Sequence, residues 1–152
     1  MTNRWGCLVA IVFIFITSVT ALAQDEYSKM VENPDLTYEK AEGVLNTMVN
    51  KIHELYSDQP EFLEKFDASQ EAWENYRLSH IRALYPGGRD NYGSSFDFCG
   101  PNESLRLVKE RISLIKQWII GTIEGDVCCG TVRWVPIDEY EKSTGQKIPT
   151  TD

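Results

Sequence analysis

Two sets of apolar residues, each spaced three and four apart, limit what this chain can fold into more than any other feature of it. Ala41, Leu45, Met48, Ile52 and Leu55 form the first set; Leu105, Val108, Ile112, Ile115 and Ile119 form the second. Such spacing lines each set along one face of an α-helix, which turns once in 3.6 residues, and it does not match the two-residue alternation of a half-buried strand. Between them, Asp58-Gln59-Pro60-Glu61 offers an N-cap residue, a proline for the first turn and a capping-box acid. A second helix is therefore expected from there to the break at Tyr85-Pro86-Gly87-Gly88, with Phe62, Phe66, Trp73 and Leu84 on its buried face. The tight turn between the first two helices makes them antiparallel neighbours. The expected fold class is all-α: a small antiparallel bundle of three main helices with an irregular, disulfide-tied C-terminal segment.

The flanks read differently. Arg4, the apolar run Leu8–Ile16 and Ala21-Leu22-Ala23 have the order of a secretory signal peptide, so residues 1–23 are expected to be removed and the product to be secreted or periplasmic. The apolar run is too short to span a bilayer, and no stable membrane insertion is expected after cleavage. Residues 24–36 read as a loose N-terminal lead, 37–136 as the helical domain and 137–152 as a flexible tail. The turn-rich stretch 86–100 reads as an exposed loop, and the third helix as starting near Pro101-Asn102 and stopping at Gly121. Asn102-Glu103-Ser104 is either a helix cap or a glycosylation sequon. Thr131–Val135 reads as a short strand-like return packed through Trp134.

Without residues 1–23 the chain keeps 14 basic and 23 acidic side chains, a net charge of -9. Nucleic acid, which needs clustered cations, is not an expected partner, whereas a cationic protein is. Three cysteines, Cys99, Cys128 and Cys129, remain in a compartment where disulfides persist. Closing a ring between adjacent cysteines is strained, so the expected bridge joins Cys99 to Cys128 or Cys129.

Little points to catalysis. The usual nucleophile, phosphate-loop and metalloprotease patterns are missing, and His53 and His80 stand on separate predicted helices. Glu61 with Glu64, and Glu71 with Glu74, have the spacing of a solvated helix face. No catalytic residue, metal site or cofactor is expected, and the chain reads as a binding protein, not an enzyme.

The most specific string is Ser69-Gln70-Glu71-Ala72-Trp73-Glu74-Asn75-Tyr76-Arg77. On a helix it sets Gln70, Trp73 and Arg77 on one face with Tyr76 beside it, a pattern suited to a helix junction with an indole inside and polar groups bonding across. Together with Leu45-Asn46 on the first helix and Cys99 ahead of a third helix carrying Arg111-Ile112 and Leu114, this string resembles the LprI-type lysozyme inhibitor family over residues 37–120. The resemblance implies a small exported helical domain, and characterised members of that family bind and inhibit lysozyme. The chain departs from the family pattern at Val49, where an aromatic is usual, and in lacking a cysteine soon after Arg77, so Cys128 or Cys129 stands in as the partner of Cys99.

The resulting expectation is an inhibitor that occludes the active cleft of a cationic lysozyme or related muramidase. The segment Gly87–Asp97, with Arg89, Asp90, Asn91 and Tyr92, is the contact expected for it. The alternative is an envelope binding or scaffold module of the same fold without that inhibition.

Overall fold

A computed structural model describes residues 29, 32–125 and 127–148. Among these residues the helices are α1 (Tyr38–Leu55), α2 (Pro60–Leu84), α3 (Arg89–Tyr92), α4 (Ser94–Ile120) and α5 (Ile137–Thr144). Their only β pairing is an isolated Thr122–Trp134 bridge, so the fold class is all-α. No described helix is long and apolar enough to cross a membrane. The expected signal peptide lies outside the described residues. The chain divides into two compact units, one of residues 33–119 and one that includes residues 120–152.

Within the first unit, α1 opens at Thr37, whose Oγ1 accepts the Lys40 N–H at 3.4 Å and satisfies one donor of the first turn. Ala41, Leu45, Met48 and Ile52 are buried as their spacing predicts, but Leu55 is only half-buried and Tyr56 takes the last core position at 0% exposure. α2 begins on Pro60, with Gln59 and not Asp58 at the cap and without a side-chain cap hydrogen bond. A proline there removes a donor that would otherwise lack a partner, and Glu61 favours the positive end of the helix. The core face of α2 is narrower than expected. Phe66 and Arg77 are buried, Phe62 and Trp73 are half-buried, and Leu84 is exposed. At that end Tyr85 supplies the packing ring instead, in edge contact with Tyr92 and Phe96.

The direction of the helices follows from which residues meet. Between α1 and α2, His53 contacts Asp67 and both Tyr38 and Glu42 contact Arg77. Numbers rise on one helix as they fall on the other, so the two run antiparallel. The same holds for α2 and α4, where Phe66 meets Trp118, Gln70 meets Arg111 and His80 meets Glu103. At one end, Tyr56, Phe62, Phe66 and Trp118 form a chain of ring contacts with centroids 4.6–5.9 Å apart. The Tyr56 hydroxyl donates to the Trp118 carbonyl at 3.1 Å.

The expected loop over 86–100 is largely helical. It folds as α3, and α4 starts at Ser94, ahead of the expected Pro101. Gly88 and Gly93, both at φ 55°, make the two sharp turns that an L side chain would resist. Phe96 then packs against Tyr85, and this burial outweighs the turn propensity of the Gly, Ser, Asn and Asp residues around it. Pro101 sits inside α4, and Asn102 is an exposed residue within the helix instead of its cap.

The second unit is also more ordered than its sequence suggests. Gly121, at φ 86°, ends α4, as expected from sequence; a Cβ there would lie 2.7 Å from Val135 Cγ1 and 2.9 Å from the Arg133 carbonyl oxygen. Hydrogen bonds from Thr122 N to Arg133 O and from Val135 N to Thr122 O hold the two strands of chain together at 2.9 and 2.7 Å. Val132 and Val135 are its buried apolar residues, whereas Trp134, the expected packing residue, is 63% exposed. Alternation explains the exchange: Val135 is turned onto Gly121, so Trp134 faces the other way. The expected flexible tail contains α5, with Asp138 and Glu139 in its first turn, Lys142 in its last and Gly145 in the left-handed conformation after it.

The expected bridge from Cys99 to Cys128 or Cys129 is not formed; all three carry thiols. Cys99 is half-buried on α4, with its thiol near the Tyr85 side chain. Burial and that thiol push the Tyr85 pKa up.

Candidate functional site

Two regions gather the side chains singled out from the sequence. The first lies between α1, α2 and α4 and contains the Gln70, Trp73, Arg77 and Arg111 motif. Arg77 is 5% exposed, and its charge is compensated by carboxylates from two helices. Its Nε donates to Glu74 Oε2 at 3.0 Å and its Nη2 to Glu42 Oε1 at 3.2 Å. Nη2 also donates to Glu74 Oε1 and Nη1 to the Tyr38 hydroxyl, which in turn donates to Glu42. Burial, followed by the bond to Glu42, pushes the Tyr38 pKa up to about 12, so its phenol stays protonated and can serve as a donor.

Trp73 stands between two guanidiniums. The Cζ atoms of Arg77 and Arg111 lie 5.7 and 5.9 Å from its ring centroid, within cation–π range. Arg111, 7% exposed, donates from Nε to Gln70 Oε1 at 2.6 Å and from Nη2 to Ser69 Oγ at 2.8 Å. The motif thus comes together as a helix junction, which accounts for the Gln-x-x-Trp spacing: one helical turn presents the amide and the indole to the same arginine. Leu45 is in the core beneath α1, but Asn46 is exposed and outside this network. Tyr76 is 54% exposed and packs its ring on His80 at 5.7 Å. Sequence reasoning missed Tyr38, Glu42, Ser69 and Glu74 as partners. The one signal available was the helical spacing of Tyr38 with Glu42 and of Glu74 with Arg77.

Both histidines bridge helices through a carboxylate. His53 Nε2 lies 2.7 Å from Asp67 Oδ1, and His80 Nε2 lies 2.9 Å from Glu103 Oε1. Glu103 also accepts from Arg106 at 2.6 and 3.0 Å. The Arg106 guanidinium, helped by His80, holds the Glu103 pKa down to about 2. Glu61, Glu64 and Glu71 are exposed, as a solvated face requires. The described residues contain no group of three or more His, Cys, Asp or Glu side chains placed to hold a metal ion.

The second region is the α2–α4 connection. Asn91 Nδ2 donates to the Pro86 carbonyl at 2.6 Å, and Arg89 pairs with Asp97 at 3.1 Å. Tyr92 rests edge-on against Tyr85 at 5.4 Å while remaining 39% exposed. Arg89, Asp90, Asn91 and Tyr92 are all exposed on this short helix, and Leu84 and Phe98 are exposed at 45% and 71% on the helices before and after it. The segment is held in a defined conformation and presents aromatic, cationic and amide groups to solvent, the residue types of a protein contact. Comparison with family models, with curated proteins and with solved structures returned no match.

Proposed function

We propose that this chain is a secreted or periplasmic protein that binds a cationic lysozyme or related muramidase and inhibits it by occluding the active cleft. On this reading it is not an enzyme, and α1, α2 and α4 form the three-helix bundle implied by the LprI-type resemblance. One observation carries the proposal: the α2–α4 connection is a braced turn of helix with Arg89, Asp90 and Tyr92 exposed on it. A contact of this kind loses little conformational freedom on binding, so more of its interaction energy remains as affinity. The charge of -9 left after residues 1–23 supports the same reading, because opposite potentials speed encounter with a basic enzyme.

The test is inhibition of purified muramidases by the chain without residues 1–23, compared with an Arg89→Ala, Asp90→Ala, Tyr92→Ala triple variant. The expected result is inhibition by the parent at low salt and inhibition at least about tenfold weaker in the variant, the loss of roughly one contact of 1.4 kcal/mol. Equal inhibition by the two would remove the connection as the contact. No inhibition of any muramidase by the parent would leave the envelope binding or scaffold reading.

A further inference from the structure

The three thiols of the described residues stand in different surroundings. Cys99 is half-buried on α4. Cys129 is half-buried in the second unit, where its carbonyl accepts the Val132 N–H at 3.1 Å and its thiol is turned to the Gly130 carbonyl at 4.0 Å. Cys128 is exposed, in a turn beside Val127, which is itself 94% exposed. The approach to that turn is open, since a Cβ on Gly125 or on Gly130 would meet no atom within 4 Å. Cys128 and Cys129 are joined by a trans peptide, which sets their Cα atoms about 3.8 Å apart. A disulfide takes roughly 4.4–6.8 Å, so the two neighbours do not close on each other without strain.

We propose that Cys128 is a thiol–disulfide exchange site that takes up a small cationic thiol, of the aminothiol class, as a lasting mixed disulfide. The Cys128 thiolate attacks one sulfur of a low-molecular-weight aminothiol disulfide. The bond from Cys128 to that sulfur forms as the S–S bond of the reagent breaks, and the departing thiolate takes up the proton that Cys128 gave up. The Cys128 sulfur is oxidised and the departing sulfur reduced, so the reagent is the only oxidant required. The adduct lasts because its removal needs a second thiolate, and Cys129 would have to close the strained ring to supply one. Charge selects the thiol. Glu124 and Asp126 precede Cys128 by four and two residues, no Lys or Arg lies within four residues of it, and the whole chain carries -8. A disulfide bearing ammonium groups is drawn to such a surface and one bearing carboxylates is repelled. The site stands apart from the α2–α4 connection and does not depend on the muramidase reading.

The experiment incubates the whole reduced chain with cystamine, with hydroxyethyl disulfide as the neutral reagent and oxidised glutathione as the anionic one. Peptide mapping without reductant locates the adduct, and fragmentation between residues 128 and 129 separates the two neighbours. The expected result is one cysteamine on Cys128 before any on Cys129 or Cys99. Cystamine should react about threefold faster than oxidised glutathione at low salt, with the neutral reagent between them, and the gap should close as salt screens the surface. Once the excess reagent is removed the adduct should persist. Cys129→Ser should change neither its rate of formation nor its lifetime, and Cys128→Ser, at an exposed position, should remove the early adduct. Labelling of Cys99 or Cys129 ahead of Cys128, a preference for cystamine that salt does not reduce, or conversion of the adduct into a bridge within the chain would each overturn the proposal.

Discussion

Tyr56→Phe is the most informative single change in the helical core, because it removes one oxygen and leaves the packing in place. Tyr56 is 0% exposed, its ring lies 4.6 Å from Phe62, and its hydroxyl donates to the Trp118 carbonyl. That carbonyl is one of the last four of α4, which ends at Ile120, and these have no N–H further along the helix to receive. A hydrogen bond contributes about 1 kcal/mol net, and its loss should cost about that much. Taking about 1 kcal/mol, the melting temperature should fall by roughly 3 °C for a chain of this length. Urea denaturation measures this directly, and the midpoint should drop with the slope unchanged, since the surface exposed on unfolding is the same. Tyr76→Phe, at a 54% exposed ring, is the control and should change stability by less than about 0.5 kcal/mol. If the two variants match, the Tyr56 hydroxyl does not tie α4 to α1.

Other expectations follow from the same contacts. Gly121→Ala forces a Cβ to 2.7 Å from Val135 at a backbone angle that L residues avoid, so it should cost more than about 1 kcal/mol; hydrogen exchange should show weaker protection of the Thr122 and Val135 amides. Glu103, with a folded-state pKa near 2 against 4.5 for the free group, contributes stability that is complete above pH 4.5 and is lost as pH falls toward 2. Glu103→Gln should therefore flatten the acid side of the stability profile between those values, and a profile of unchanged slope would show that Arg106 and His80 do not hold the carboxylate. With Cys99, Cys128 and Cys129 as thiols, a reductant should leave the melting temperature where it was, and a fall would reveal a bridge.

The helices of residues 33–119 were legible because their stripes are regular: Met48, Ile52, Ile112 and Ile115 are buried where the spacing puts them. What was not legible depended on contacts distant in sequence. Residues 94–100 have loop composition, and it takes the seat of Phe96 against Tyr85 to make them helical. α5 did carry signals, acids first, Lys142 late and Gly145 after, but its polar composition read as a tail. Within the motif, sequence placed Gln70, Trp73 and Arg77 on one face but gave no means of seeing that Glu42 on another helix compensates Arg77 while Arg111 lacks a carboxylate partner.

The contact order of the α1–α2–α4 arrangement bears on how the chain folds. His53 and Asp67 are 14 residues apart, across the short turn from α1 to α2, whereas Tyr56 and Trp118 are separated by 62. Closing the shorter loop costs less entropy, so the α1–α2 hairpin should assemble first and α4 should dock onto it later. A bond made after the rate-limiting barrier slows unfolding without speeding folding. The hydroxyl of Tyr56 then acts as a latch on the finished molecule: its loss should show in the unfolding limb of a chevron plot, and the lifetime of the native state should shorten while the refolding rate stays the same.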